Sequence, residues 1–209
     1  MRLPESAREK SRGGLFREWA PEKRPEKWLI QLPADVVEDT DPKGKVVLDS
    51  GTGKGRFAIA FAKAGAEKVV ASDISPLMVE LARQEAKKAG VLDRITFEVE
   101  DIEHLKYPDD TFDIACSMGT SIHTPNPSRG LSELKRVCKP GGFVVFDATI
   151  TDPISVGPYW KSFSEAEFLK LFEDNGLKVE HKRIYSGTPT SSITCVARKQ
   201  NFNITPEKG

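Results

Sequence analysis

The stretch Val46-Val47-Leu48-Asp49-Ser50-Gly51-Thr52-Gly53-Lys54-Gly55-Arg56-Phe57-Ala58 decides how the rest of the chain is read. Residues 45–49 form a nearly continuous apolar run, the pattern of a parallel strand covered on both faces. Gly51, Gly53 and Gly55 follow, where glycines let the backbone turn sharply and let a ligand approach a helix N-terminus closely. Residues 56–64 then read as a helix that Gly65 stops. The unit is strand, glycine turn, helix, and in an α/β fold such a turn lies at the ligand-binding edge of the sheet.

Outward from this unit the same alternation repeats. A second strand at 68–71 runs on to Asp73, after which Ser75 caps a helix that opens with Pro76 and closes at Gly90. Leu77, Met78, Leu81, Ala82, Ala86 and Ala89 are its expected buried stripe. Strands follow at 95–99 and 112–117, then a helix around 131–138, a Lys139-Pro140-Gly141-Gly142 turn and a strand at 143–146. Ser164 and Glu167 form a capping box for a helix that ends at Asn175-Gly176. The strands at 177–185 and 193–198 are joined by a connection too short for a helical crossover, so they pair as an antiparallel hairpin. Strands alternating with helices define an α/β fold with a mostly parallel sheet. Residues 1–44 carry no strand pattern; Trp28, Leu29, Leu32, Val36 and Val37 line one face of a short helix interrupted near Pro33. The expected organisation is a helical appendage and possible lid at 1–44, a catalytic domain at 45–198 and a tail at 199–209.

Bulk composition narrows the partners. With 209 residues, 38% of them hydrophobic, the chain fills one sizeable core. Acidic and basic residues balance at 31 each, so no large positive field exists to hold a nucleic acid backbone or an anionic membrane. A small-molecule or protein partner is expected. The opening segment is rich in Arg, Lys and Glu without an apolar core, and no apolar run reaches the roughly 18 residues of a membrane span. These features read as a soluble, cytoplasmic protein. Cys116, Cys138 and Cys195 have no metal or disulfide spacing and are read as buried thiols. Asn203-Ile204-Thr205 matches a glycosylation acceptor only formally.

Three chemistries use a glycine turn of this kind. A phosphate-binding P-loop needs Ser or Thr after Gly-Lys, and Lys54 is followed by Gly55. Gly53, Gly55 and Ala58 do satisfy a dinucleotide fingerprint, with Asp73 placed as the ribose acid, so a nicotinamide-dependent oxidoreductase is an alternative. Asp49 weighs against it: a carboxylate beside the helix N-terminus repels a pyrophosphate and suits a ligand carrying positive charge. No Tyr-x-x-x-Lys pair is present, which removes one common dehydrogenase dyad.

Four ordered segments resemble the class I S-adenosylmethionine-dependent methyltransferases, in particular the small-molecule branch labelled methyltransferase type 11. They are Val-Leu-Asp-Ser-Gly-Thr-Gly-Lys-Gly at 47–55, Ala-Ser-Asp-Ile-Ser at 71–75, the run from Glu-Asp-Ile-Glu-His-Leu to Tyr-Pro-Asp-Asp-Thr-Phe-Asp at 100–113, and Leu-Lys-Arg-Val-Cys-Lys-Pro-Gly-Gly at 134–142. The resemblance implies a Rossmann-like doubly wound sheet of seven strands in the order 3-2-1-4-5-7-6, with S-adenosyl-L-methionine as cofactor and S-adenosyl-L-homocysteine as product. By the same resemblance Asp49, Gly51, Thr52, Gly53 and Gly55 surround the methionine part of the cofactor. Asp73 binds both ribose hydroxyls and Ile74 lies against the adenine. Asp101 and Ile102 read the adenine amino group and ring face, and Ser117 approaches the methionine end through its backbone. Met78, on the apolar stripe, is a further candidate for the adenine wall.

Other candidates are weighed beside these. Asp109, Asp110 and Asp113 look like metal ligands, but their spacing fits a solvated turn before the fourth strand, and no metal is expected. His123 is the one catalytic candidate, since imidazole serves as a base near neutral pH; a structural or pocket-lining role is the preferred reading. Methyl transfer from a sulfonium is an in-line displacement driven largely by alignment, and a base is needed only when the acceptor must lose a proton. Excluding water assists it, so the segments with Trp19 and Trp28 and with Tyr159 and Trp160 are lid candidates. The fourth strand ends in Ser117-Met118-Gly119-Thr120, which lacks the Asn/Asp-Pro-Pro-Tyr/Phe signature of base and amide methylation. Methylation of DNA adenine or of release factors is therefore not expected, and the resemblance points to a small-molecule acceptor that the sequence does not identify. A regulator that binds the cofactor without turnover is the second alternative.

Overall fold

In the computed structural model the chain runs through α1 (Glu26–Thr40), β1 (Val46–Ser50), α2 (Arg56–Lys63), β2 (Lys68–Asp73), α3 (Pro76–Lys88), β3 (Ile95–Val99), β4 (Phe112–Ser117), α4 (Pro127–Val137), β5 (Cys138–Ile150), α5 (Glu165–Asp174), β6 (Leu177–Tyr185) and β7 (Ser191–Lys199). The structure describes residues 26–150, 162–186 and 191–200. Seven strands make one sheet in the order β3-β2-β1-β4-β5-β7-β6, as the resemblance implied. β1 to β5 pair in parallel, and β7 runs antiparallel to both β5 and β6. Strand order reverses direction between β1 and β4, and in open α/β sheets the crevice beyond such a switch point is where ligands bind.

The central strands are almost free of solvent because helices cover both faces. On one face Leu48, Val70, Ala115, Val144, Phe146 and Cys195 pack with Leu131 and Leu134 of α4 and Phe168 and Phe172 of α5 in one cluster. α2 contacts β1 and β2, and α3 contacts β2 and β3. Ser75 caps α3 by accepting from Met78 N at 3.4 Å, and Ser164 and Glu167 form the reciprocal capping box of α5. All three cysteines are buried and unbridged.

Several local expectations are corrected. α3 buries Val79, Ala82 and Ala86, while Leu77 is 64% exposed. At 3.6 residues per turn Leu77 lies about 200° around the helix from Val79, so it faces away from the sheet. α4 starts at Pro127, earlier than expected, because Asn126 accepts from Arg129 N and Pro127 is preset for a first helical position. Lys139 to Gly142 is not a separate turn: β5 already begins at Cys138, and the register with β4 shifts between Phe112 and Ile114 to take up the extra residues. Gly142 is required there, since a Cβ would sit 2.6 Å from Asp113 O.

The acidic group before β4 is ion-paired and not merely solvated. Asp109 pairs with Arg136 at 2.8 Å, Asp110 with Lys199 at 2.5 Å and Asp113 with Lys139 at 2.8 Å. Although burial acts to raise it, the bonds from Lys139 and Val46 N hold the Asp113 carboxyl below the usual range. Among the described residues no His, Cys, Asp and Glu group is arranged to hold a metal ion, and no helix is long and apolar enough to cross a membrane.

The chain divides into two compact units, Met1–Leu32 and Pro33–Gly209, with the boundary inside α1. The expected break near Pro33 does not occur, and the helix continues through it. The proline forfeits one backbone bond, and within the second unit side chains hold the rest of the helix. Asp39 takes two bonds from Arg183 (2.9 and 2.6 Å), Asp35 accepts from Tyr185 Oη at 2.6 Å, and Lys45 Nζ donates to Thr40 O at 2.7 Å. The lid candidates Trp19, Tyr159 and Trp160, and the side chain of Trp28, lie outside the described residues.

Candidate cofactor site

The turn after β1 is fixed from below and from the side before any ligand is considered. Gly51 N and Thr52 N both donate to Ser72 O, at 2.7 and 2.8 Å, which ties the turn to β2. Asp49 lies beneath it, 1% exposed, and its Oδ2 accepts from Thr52 Oγ1 at 2.6 Å and from Ala58 N at 3.0 Å. Gly55 occupies the N-cap of α2 and has no side chain to cap it. Asp49 therefore satisfies one of the helix's open N–H groups from the neighbouring strand, the task an N-cap side chain performs elsewhere.

This sharpens the electrostatic reading of Asp49. Burial pushes its carboxyl up to about 6, against the lowering effect of the Thr52 and Ala58 bonds. A buried acid whose folded value is raised favours folding below the unfolded value near 3.8 and loses that contribution as pH rises towards 6. The shift corresponds to of order 3 kcal/mol across this window. Asp49→Asn is expected to remove that slope: the stability difference between variant and parent, followed by denaturant melts from pH 4 to 7, should shift steadily in the variant's favour. A pH-independent difference would show that the carboxyl is not held in its raised state.

The three glycines are needed for three different reasons. At Gly51 (φ +74°) a Cβ would fall 2.2 Å from Thr120 Oγ1, so the loop after β4 presses directly on the turn. At Gly55 (φ +81°) it would stand 3.1 Å from Ala82 Cβ, where α3 packs. At Gly53 (φ +55°) nothing lies within 4 Å. Gly53 alone faces open space, the condition for a ligand to lie against the backbone. Its N–H is oriented by Asp73, whose Oδ2 accepts from Gly53 N at 2.9 Å while Oδ1 accepts from Ser75 N at 2.9 Å. Asp73 thereby joins the turn to the start of α3 and keeps its carboxylate at the C-terminal edge of β2.

The remaining sequence candidates are distributed around this edge. Ile74 and Met78 are half-buried at the start of α3. Asp101 is half-buried and caps the turn Ile102–His104 by accepting from Glu103 N at 3.0 Å. Ile102 points into the core, where it packs on Gly130 of α4. Ser117 ends β4 fully buried, and His123 is half-buried at the end of the turn Ser121–His123. The buried hydroxyls of Ser50, Ser117, Ser121, Ser192 and Thr194 have no hydrogen-bond partner. All five lie at the same C-terminal edge of the sheet, and each costs about 1–3 kcal/mol when left unsatisfied.

Two residues of this edge escape sequence reasoning. Thr120 contacts Gly51 from a segment far away in the chain, and no local pattern signals that contact. Asp147, 3% exposed, accepts from Gly119 N at 2.7 Å and so fixes the loop that carries Thr120. Its signal was present: it is the lone acid in the apolar run 143–150.

Comparison with known proteins places this arrangement in a family. The family described as "Methyltransferase domain" matches residues 48–146, from β1 to β5. A ubiquinone/menaquinone biosynthesis C-methyltransferase of Bdellovibrio bacteriovorus is 32% identical over 170 residues, covering 79% of this chain and 69% of the relative. A 27-O-demethylrifamycin SV methyltransferase of Amycolatopsis mediterranei is 35% identical, with the match covering 54% of this chain and 42% of the relative. The chain thus spans less than half the length of several curated relatives it matches. Among solved structures, the magnesium protoporphyrin IX methyltransferase of Synechocystis PCC 6803 with bound S-adenosylmethionine superposes with a TM-score of 0.74 at 22% identity, over 93% of this chain and 96% of that one. That likeness concerns the fold. The chain belongs to the class I S-adenosylmethionine-dependent methyltransferases, and S-adenosylmethionine is the cofactor of that family.

Proposed function

We propose that this chain binds S-adenosylmethionine across the C-terminal edges of β1, β2 and β4 and transfers its methyl group to a small-molecule acceptor. The observation that carries the reading is the division of labour among the glycines: Gly51 and Gly55 are spent on internal packing, and Gly53 faces open space beside the Asp73 carboxylate. In this reading the cofactor's methionine end lies over Gly51, Thr52, Gly53 and Gly55, with the backbone of Ser117 beside it. Asp73 accepts from the ribose hydroxyls, and Ile74, Met78 and Asp101 lie towards the adenine, whereas the Ile102 side chain, expected on the ring face, is turned into the core against α4. Asp49 acts from beneath. Its partly suppressed ionisation means that a cationic ligand near the turn stabilises the carboxylate form.

These residues hold and orient the cofactor. Acceleration comes from holding an acceptor in line with the methyl–sulfur bond and from excluding water as the sulfonium charge disappears. His123 receives no role as a base. By their names one relative is a C-methyltransferase of ubiquinone/menaquinone biosynthesis and another a 27-O-demethylrifamycin SV methyltransferase, which supports a small-molecule acceptor without naming it. The test is transfer of label from tritiated S-adenosylmethionine to a bacterial small-molecule extract. Labelled product supports an enzyme; cofactor binding with no labelled product would make the chain a cofactor-binding regulator.

A further inference from the structure

Asp49 is a buried carboxylate with an incomplete set of partners. It is 1% exposed, and both of its hydrogen bonds, from Thr52 Oγ1 and Ala58 N, fall on Oδ2. No described residue donates to Oδ1. An ionised carboxylate offers about four acceptor positions, so about half of its capacity is unused where an unmet charge costs most.

The groups around it do not supply the missing compensation. Its register neighbours in the sheet are Ala71 of β2 and Cys116 of β4. Asp73, at the end of β2, adds a like charge, and Arg56, at the start of α2, has the smallest effect of the groups that act on Asp49. Cys116 brings no charge: burial, and then the carboxylates of Asp49 and of Asp147 on β5, push its thiol well above its ordinary value. The Asp49 carboxyl, held at about 6 chiefly by burial, is therefore poised between its two forms close to neutral pH.

Resting on the cofactor reading, we infer that Asp49 makes cofactor binding proton-linked and gives the site a pH-dependent preference for the sulfonium S-adenosylmethionine over the thioether S-adenosylhomocysteine. Both molecules carry an ammonium at the methionine end, and S-adenosylmethionine alone adds a positive charge at sulfur. A positive charge brought over the turn favours the ionised carboxylate through the field and needs no direct contact with it. S-adenosylmethionine therefore displaces more of the Asp49 proton than S-adenosylhomocysteine does. The ionised form fades as pH falls through about 6, so affinity falls in acid, and it falls further for S-adenosylmethionine. The product then competes better with the cofactor as the medium acidifies, which brakes turnover from beneath the turn.

The experiment is calorimetry of the full chain with S-adenosylmethionine and with S-adenosylhomocysteine, between about pH 5 and about pH 7.5, in buffers of different ionisation heat. With the carboxyl returned to its ordinary 3.8 in the complex, S-adenosylmethionine releases about half a proton per site near pH 6 and loses about tenfold in affinity across that range. S-adenosylhomocysteine is expected to release less and to lose less affinity. Asp49→Asn should bind without releasing a proton. Thr52→Val removes a bond that holds the carboxyl down, so it should increase the release near pH 6, and it keeps the test decisive where Asp49→Asn does not fold. No proton released by S-adenosylmethionine, equal release with both ligands, release that persists in Asp49→Asn, or release unchanged in Thr52→Val would each overturn the inference. Failure of the parent to bind either ligand at any pH would instead defeat the cofactor reading on which it rests.

Discussion

Gly51→Ala is expected to abolish measurable S-adenosylhomocysteine binding and to destabilise the fold by about 2–4 kcal/mol. Two separate effects add. The left-handed backbone at φ +74° disfavours any side chain, at roughly 1–2 kcal/mol. The new Cβ also meets Thr120 Oγ1 at 2.2 Å and Thr120 Cγ2 at 2.9 Å, so the loop after β4 or the turn itself has to move. The second effect can be isolated: adding Thr120→Ala removes both of those atoms while leaving the backbone strain in place. The double variant should recover the steric part of the lost stability and retain the conformational part. If Gly51→Ala melted and bound like the parent, the close approach between the turn and the β4 loop would not exist in solution.

The second large effect is expected at Asp73. Its two carboxylate oxygens orient Gly53 N and Ser75 N, and the same carboxylate is proposed to accept from the ribose. Asp73→Ala should weaken S-adenosylhomocysteine binding about a hundredfold or more, since charge-assisted bonds contribute about 1.5–3 kcal/mol each. Asp73→Asn is the sharper probe. It keeps an acceptor for one backbone N–H but turns the other position into a donor, so turn and ribose can no longer both be served. Wild-type affinity in either variant would contradict the ribose assignment.

Much of the fold was legible because its signals are local. Ser75 with Pro76, and Ser164 with Glu167, mark helix starts by hydrogen bonds that span only a few residues, and both caps form as expected. The hairpin of β6 and β7 followed from a connection too short for anything else. Where neighbours far away in the chain decide the outcome, the sequence was silent or misleading. Lys139-Pro140-Gly141-Gly142 has the composition of a turn, yet pairing with β4 draws it into an irregular strand. Pro33 should break a helix, yet the bonds that Asp39 accepts from Arg183 and Asp35 accepts from Tyr185 of β6 lie beyond it.

The site divides in the same way. The Gly51, Gly53 and Gly55 spacing located the turn, but only the packing shows that these residues serve different ends. The charge of Asp49 pointed towards a cationic ligand, while its two bonds to Thr52 and Ala58 show a brace for the turn that no ligand is needed to explain. Thr120 and Asp147 entered from β4 and β5 through contacts that no spacing rule contains.

In the proposed function the Asp49 to Gly55 turn holds S-adenosylmethionine and not a dinucleotide. Calorimetry of the full chain with S-adenosylhomocysteine and with NADH, side by side at neutral pH, tests it most directly. The predicted result is saturable binding of S-adenosylhomocysteine with no heat from NADH at the same concentrations. Binding of NADH, with S-adenosylhomocysteine inert, would contradict it.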